Sequence, residues 1–110
     1  MILANRNCLE IEVPPLLNPD SIDLLNQKLL EAEEKQMRFV LLKGNETTFC
    51  NGLDLRWVTE NADGDYMPEM QAYGAFLKKL QTGKFVSIAY VNGSAAGGGM
   101  GIVCACDYVI

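Results

Sequence analysis

Histidine is absent from this sequence of 110 residues. Within the chain, that excludes a Ser-His-Asp triad, a Cys-His dyad and any histidine-ligated metal site. Clustered positive charge is also missing. The 14 Asp and Glu outnumber the 9 Lys and Arg, for a net charge of −5. Nucleic acid and anionic membrane surfaces both recruit basic patches, so neither is an expected partner. No apolar run is long enough to cross a bilayer. The most apolar stretch, Val86 to Ile110, is broken by Gly, Asn and Ser. Met1 to Asn7 carries one Arg and no apolar core, so no signal peptide is expected and a cytoplasmic location is. Cys8, Cys50, Cys104 and Cys106 are expected to be reduced thiols. The Cys-x-Cys spacing at Cys104 and Cys106 is not that of a zinc finger, and no metal site is expected.

What remains is a globular composition. Apolar residues make up 49% of the chain, and the length allows at most one small domain. Cys8 to Val13 alternates apolar and acidic residues, which predicts a half-buried strand ended by Pro14 and Pro15. A helix start follows, with Asp20 or Ser21 as cap, and Ile22, Leu24, Leu25, Leu29 and Leu30 form its apolar stripe. Phe39 to Leu42 and Val86 to Val91 predict buried strands. Gly44 to Gly52 reads as a polar loop, Leu53 to Val58 as a short helix opening, and Glu60 to Tyr66 as an acidic turn. Pro68 to Leu80 predicts a helix, with Met70, Tyr73, Phe76, Leu77 and Leu80 on one face and Gly83 after its end. A small-residue helix through Cys106 and a strand from Asp107 complete the order. Strands alternating with helices predict α/β layering.

Two glycine segments follow buried strands and lead into helices: Phe49-Cys-Asn-Gly-Leu-Asp-Leu55 and Asn92-Gly-Ser-Ala-Ala-Gly-Gly-Gly-Met-Gly101. Glycine lets a ligand approach the backbone, and a helix N-terminus offers unpaired amide donors. Two such donors aimed at one point make an oxyanion site. A lone glycine-rich turn is more often just a turn. The P-loop, the dinucleotide-binding fingerprint and the Gly-x-Ser-x-Gly elbow are all unmatched here.

Phe39-Val-Leu-Leu-Lys-Gly44 with Phe49-Cys-Asn-Gly-Leu-Asp-Leu55 resembles the first signature of the crotonase superfamily, the enoyl-CoA hydratase/isomerase family. Ile88-Ala-Tyr-Val-Asn-Gly93, Ala96-Gly-Gly-Gly99 and Ala105-Cys-Asp-Tyr108 resemble the second. The resemblance implies the α/β crotonase-like (ClpP/crotonase) β-β-α spiral. Residues 1–110 would be a partial domain, truncated before the C-terminal helices. It also implies an acyl-CoA or acyl-carrier-protein thioester as substrate, with no cofactor, and assembly as a homotrimer or hexamer. The backbone amides of Leu53 and Gly98 would hold the thioester oxygen. Cys50, Asn51, Gly52, Asp54, Leu55, Gly97, Gly99 and Gly101 would border the ligand. Asp54 also reads as a helix cap, Asp107 as a structural residue at a helix-to-strand junction, and Tyr66 and Tyr73 as acyl-pocket lining. Since the C-terminal helices would cover apolar faces, the chain alone is expected to be poorly soluble.

The sequence departs from the family pattern at Gly101. Family hydratases carry the first of two catalytic glutamates at this position, and glycine has no side chain to offer. Isomerases of the family work with the second glutamate alone, which would lie beyond Ile110. The resemblance therefore favours double-bond isomerisation of an acyl thioester. A hydratase or decarboxylase of polyketide metabolism, or a non-catalytic acyl-CoA-binding protein, are the alternatives.

Overall fold

The computed structural model describes residues 7–110. The stretch read as free of a signal peptide lies, except for Asn7, outside the described residues. Strands β1 (Cys8–Glu12), β2 (Phe39–Lys43), β4 (Val86–Tyr90) and β6 (Tyr108–Val109) form a parallel sheet in the order β1-β2-β4-β6. The register runs Cys8 to Phe39, Phe39 to Val86, and Ile88 to Tyr108. A second parallel sheet pairs β3 (Thr48–Cys50) with β5 (Ser94–Ala95).

Parallel strands need crossovers, and helices supply them. Helix α1 (Pro19–Glu34) joins β1 to β2. Helices α2 (Leu55–Glu60) and α3 (Met67–Thr82) join β3 to β4, and α4 (Gly98–Ala105) precedes β6. The β2 residues show how the sheet divides the interior. Val40 and Leu42 enter the main core with Leu25, Leu29, Phe76 and Leu80, whereas Leu41 joins Cys8 and Ile88 on the opposite face. An alternating pleat does this when both faces are apolar.

The helices depart from the sequence reading in three places. Asn18, not Asp20 or Ser21, caps α1: its Oδ1 accepts from the Ser21 N–H at 2.9 Å, and Pro19 occupies the first helical position, where no N–H is required. The core-facing stripe of α1 is Ile22, Leu25, Leu29 and Ala32, while Leu24 and Leu30 are 43% and 54% exposed. On α3, Phe76 and Leu80 are buried but Met70 is 66% exposed. Strands β3 and β5 lie in segments that read as loop and turn. Asp107 is structural, as expected: its carboxylate accepts from the Ser87 N–H at 2.9 Å, and its own N–H donates to the Ser87 hydroxyl at 2.9 Å. No helix among the described residues is long and apolar enough to cross a membrane.

Candidate functional site

Strands β3 and β5 lie side by side, so the glycine loops that follow them emerge together. The first loop is Asn51-Gly52-Leu53-Asp54. Gly52 has φ +87°, a conformation that favours glycine. Its carbonyl accepts from the Leu17 N–H at 2.7 Å, and the Asp54 N–H donates to the Leu17 carbonyl at 2.8 Å. Leu17 thus bonds the residues on either side of Leu53, as in a parallel bridge. That geometry turns the Leu53 N–H away from Leu17. Asp54 caps α2, accepting from the Arg56 N–H at 3.1 Å and the Trp57 N–H at 3.4 Å.

The second loop runs from Ala96 into α4. The Ala96 N–H donates to the Cys50 carbonyl at 3.0 Å, and Gly97 turns the chain at φ +52°. Gly98 is the first residue of α4, where an N–H has no carbonyl partner within the helix. Among the described residues, neither the Leu53 nor the Gly98 N–H has an acceptor. The loops touch: a Cβ on Gly52 would lie 2.9 Å from the Ala96 carbonyl oxygen and 3.0 Å from the Gly98 nitrogen. A Cβ on Gly99 would collide with the Cys50 carbonyl oxygen.

Leu53 and Gly98 both line one cavity of about 310 Å³. Leu17, Leu53 and Trp57 form part of its wall, and Tyr66, Met70 and Tyr73 close it from the α3 side. Two roomier hollows, of about 600 and 450 Å³, lie away from both glycine loops. One runs between the C-terminal ends of α1 and α3, and the other is bordered by Glu10, Glu12 and Lys28. Volume alone does not mark a site; a mostly apolar cavity lined by residues with free donors is the better candidate.

Tyrosines organise the wall. The Tyr66 ring meets Trp57 edge-on with centroids 5.3 Å apart, and its hydroxyl donates to the Val58 and Asn61 carbonyls. The Tyr73 hydroxyl donates to the Gly98 carbonyl at 2.6 Å. Burial pushes the Tyr73 phenol up, and the neighbouring Cys50 and Cys104 add to that shift. The phenol therefore stays protonated and a donor at neutral pH. Its oxygen also stands where a Cβ on Gly101 would go. The glycine that removes the expected glutamate thus makes room for a tyrosine from another helix.

The remaining expected ligand contacts divide. Gly52, Gly97, Gly98 and Gly99 meet at the loop junction. Asn51 is exposed, and its side-chain oxygen accepts from the Ser94 hydroxyl at 3.0 Å. Leu55 is 73% exposed and stands off the cavity wall. Cys50 is fully buried, and burial raises its thiol pKa, so it serves the junction through its carbonyl. Burial raises Cys106 as well, to about 11. All four cysteines are free thiols. Among the described residues no group of His, Cys, Asp or Glu could hold a metal ion. The sequence reading missed Leu17, which braces the first loop, and Glu69, which reaches the cavity from α3. Glu69 carries a periodic signal, four residues before Tyr73 and so on its helix face. Leu17 carries none.

Comparison with known proteins points one way. A family model described as enoyl-CoA hydratase/isomerase matches residues 14–110. The bacillaene synthase dehydratase PksH of Bacillus subtilis is 33% identical over 97 residues, covering 86% of this chain and 37% of that protein. The enoyl-CoA isomerase/hydratase fer4 of Mycosarcoma maydis is 28% identical over 78 residues, covering 71% of this chain and 28% of its own length. An enoyl-CoA hydratase structure from Bacillus anthracis superposes with a TM-score of 0.80 at 25% identity, over 96% of this chain and 44% of that one. The chain therefore spans well under half the length of these relatives.

Proposed function

The chain belongs to the enoyl-CoA hydratase/isomerase family and has the crotonase fold, and on that footing we propose that it acts on an acyl thioester of coenzyme A or a carrier protein, moving a double bond through an enolate. The observation that carries this reading is the pair of acceptor-free amides, Leu53 and Gly98, on one mostly apolar cavity. Negative charge develops on the thioester oxygen as an enolate forms. Fixed donors in a dry site stabilise that charge without having to reorganise. The dipole of α4 adds its positive end at Gly98.

Isomerisation is favoured over hydration because position 101 holds glycine, and Tyr73 fills the space a side chain there would need. Paired carboxylates suit the addition of water; moving a proton between two carbons needs only one base. The likeness to a bacillaene synthase dehydratase supports a second reading, removal of water from a carrier-bound intermediate.

The test is solvent exchange. With trans-3-hexenoyl-CoA in D₂O, saturable binding and deuterium uptake into the acyl chain are expected. Saturable binding without uptake would favour a thioester-binding protein, and no binding would end the thioester reading. Gly98→Val is expected to abolish binding, because even a Cβ there would lie 2.8 Å from Leu17 Cδ1 and 3.4 Å from the Tyr73 oxygen.

A further inference from the structure

Glu69 sits at the third position of α3, within the first helical turn. A glutamate there usually reaches back to the N-cap N–H or rests in water near the positive end of the helix. Glu69 does neither with one of its oxygens. Its Oε2 is fully buried and has no hydrogen-bond partner, alone in this among the buried side-chain nitrogens and oxygens of the described residues. Buried polar atoms are nearly always paired, and a carboxylate oxygen is a costly one to leave bare. The Met67 N–H at the same helix start is instead served by Asp65, at 2.9 Å. The fold therefore has no visible use for the Glu69 carboxylate.

Its location suggests a chemical one. Glu69 borders the same cavity as Leu53 and Gly98, and the rest of the wall is almost entirely hydrocarbon and aromatic. Four residues on, one helical turn along the same face of α3, Tyr73 is hydrogen-bonded to the Gly98 carbonyl. Glu69 thus stands one helical turn from the residue that touches the second loop, about 5–6 Å between their Cβ atoms. Glu69 also lines a smaller hollow against α1, but it is the one carboxylate among the described residues on the wall that Leu53 and Gly98 share, and proton abstraction next to a thioester requires a carboxylate there.

We propose that Glu69 is the general base of this site, supplied by α3 in place of the glutamate that Gly101 lacks. This rests on the thioester reading above. The Glu69 carboxylate takes a proton from the α-carbon of a 3-enoyl thioester. The C–H electron pair moves into the conjugated system, and the charge settles on the thioester oxygen between the Leu53 and Gly98 amides. The protonated Glu69, its acid proton exchanging with solvent, then delivers a proton to the γ-carbon, which leaves a 2-enoyl thioester, restores the carboxylate and in D₂O places deuterium on that carbon. No other reactant is consumed.

The experiment compares wild type, Glu69→Gln and Glu69→Asp for binding of trans-3-hexenoyl-CoA, for deuterium uptake in D₂O and for melting temperature. Glu69→Gln is expected to bind within about threefold of wild type and to lose at least about 100-fold in uptake. Its melting temperature should hold, because the replaced oxygen makes no hydrogen bond. Glu69→Asp keeps a carboxylate set back by one methylene and is expected to fall between the two. Wild-type uptake in Glu69→Gln with binding unchanged would overturn the proposal and leave the thioester reading standing. So would binding without uptake in the wild type. A Glu69→Gln that melts lower and keeps its uptake would make Glu69 structural and also overturn it. Absence of binding in the wild type would overturn both.

Discussion

The two glycine loops at the site reach the same result by opposite means. The loop at Gly52 is held by hydrogen bonds: Leu17 bonds to both neighbours of Leu53, and Asp54 caps the helix beyond. Its side chains remain free to differ, and Leu53 itself is 49% exposed. The loop at Gly98 has bonds of its own, from the Ala96 N–H to Cys50 and from Tyr73 to the Gly98 carbonyl, but what sets it apart is close contact. Leu17, Tyr73 and the Cys50 carbonyl stand where side chains on Gly98, Gly101 and Gly99 would go. Apart from Gly52, where the two loops touch, a bonded loop tolerates new side chains and fails when a donor or acceptor is lost. A packed loop fails when a single carbon is added.

Substitutions can break this contrast, and they rank accordingly. The largest effect is expected for Gly99→Ala, whose methyl would overlap a buried carbonyl that also accepts from Ala96. A loss of about 3 kcal/mol is expected in urea unfolding. Gly52→Ala combines a positive φ with contacts of 2.9 and 3.0 Å to the facing loop and should cost about 2 kcal/mol by the same measurement. The pair Gly101→Ala and Tyr73→Phe sharpens the point. Each alone should cost about 1 kcal/mol, the first by collision with the phenol oxygen and the second by loss of its bond to Gly98. Together they should cost less than the sum, because removing the hydroxyl makes room for the methyl. Additive costs would show that Tyr73 and position 101 do not compete for the same space. The smallest effect is expected for Asp54→Ala on the bonded loop. Loss of its cap should cost slightly under 1 kcal/mol in thermal unfolding.

The same contrast explains what could be read from the sequence. Strand β1 and helices α1 and α3 follow from hydrophobic period, which integrates over many residues, and β2 and β4 follow from short apolar runs. Strands β3 and β5 were hidden because they are three and two residues long and sit among polar and glycine residues. The Leu24 and Leu30 positions were misjudged because a leucine-rich helix offers more apolar residues than one face can bury, and only the packed partner decides which are used. At the site, the glycines were legible because both loops depend on them. Leu17 was not, since it braces the first loop through its main chain, and its side chain meets Gly98 only in the fold. Glu69 looked like an ordinary helix-starting acid; its bare oxygen exists only where α3 meets the loops.

One topological fact bears on how the molecule forms. Among the described residues every strand pairing is parallel, and none is closed by a hairpin. Thr48 finds Ser94 and Phe39 finds Val86 only after long intervening segments have been threaded. Closing such distances costs chain entropy before any contact repays it, so the rate of folding is set by these long closures and not by local structure. The β3–β5 pairing that brings the two glycine loops together is short and irregular, with little contact to reward its closure. On a folding trajectory the site is therefore a late arrival, assembled on a sheet that must already exist.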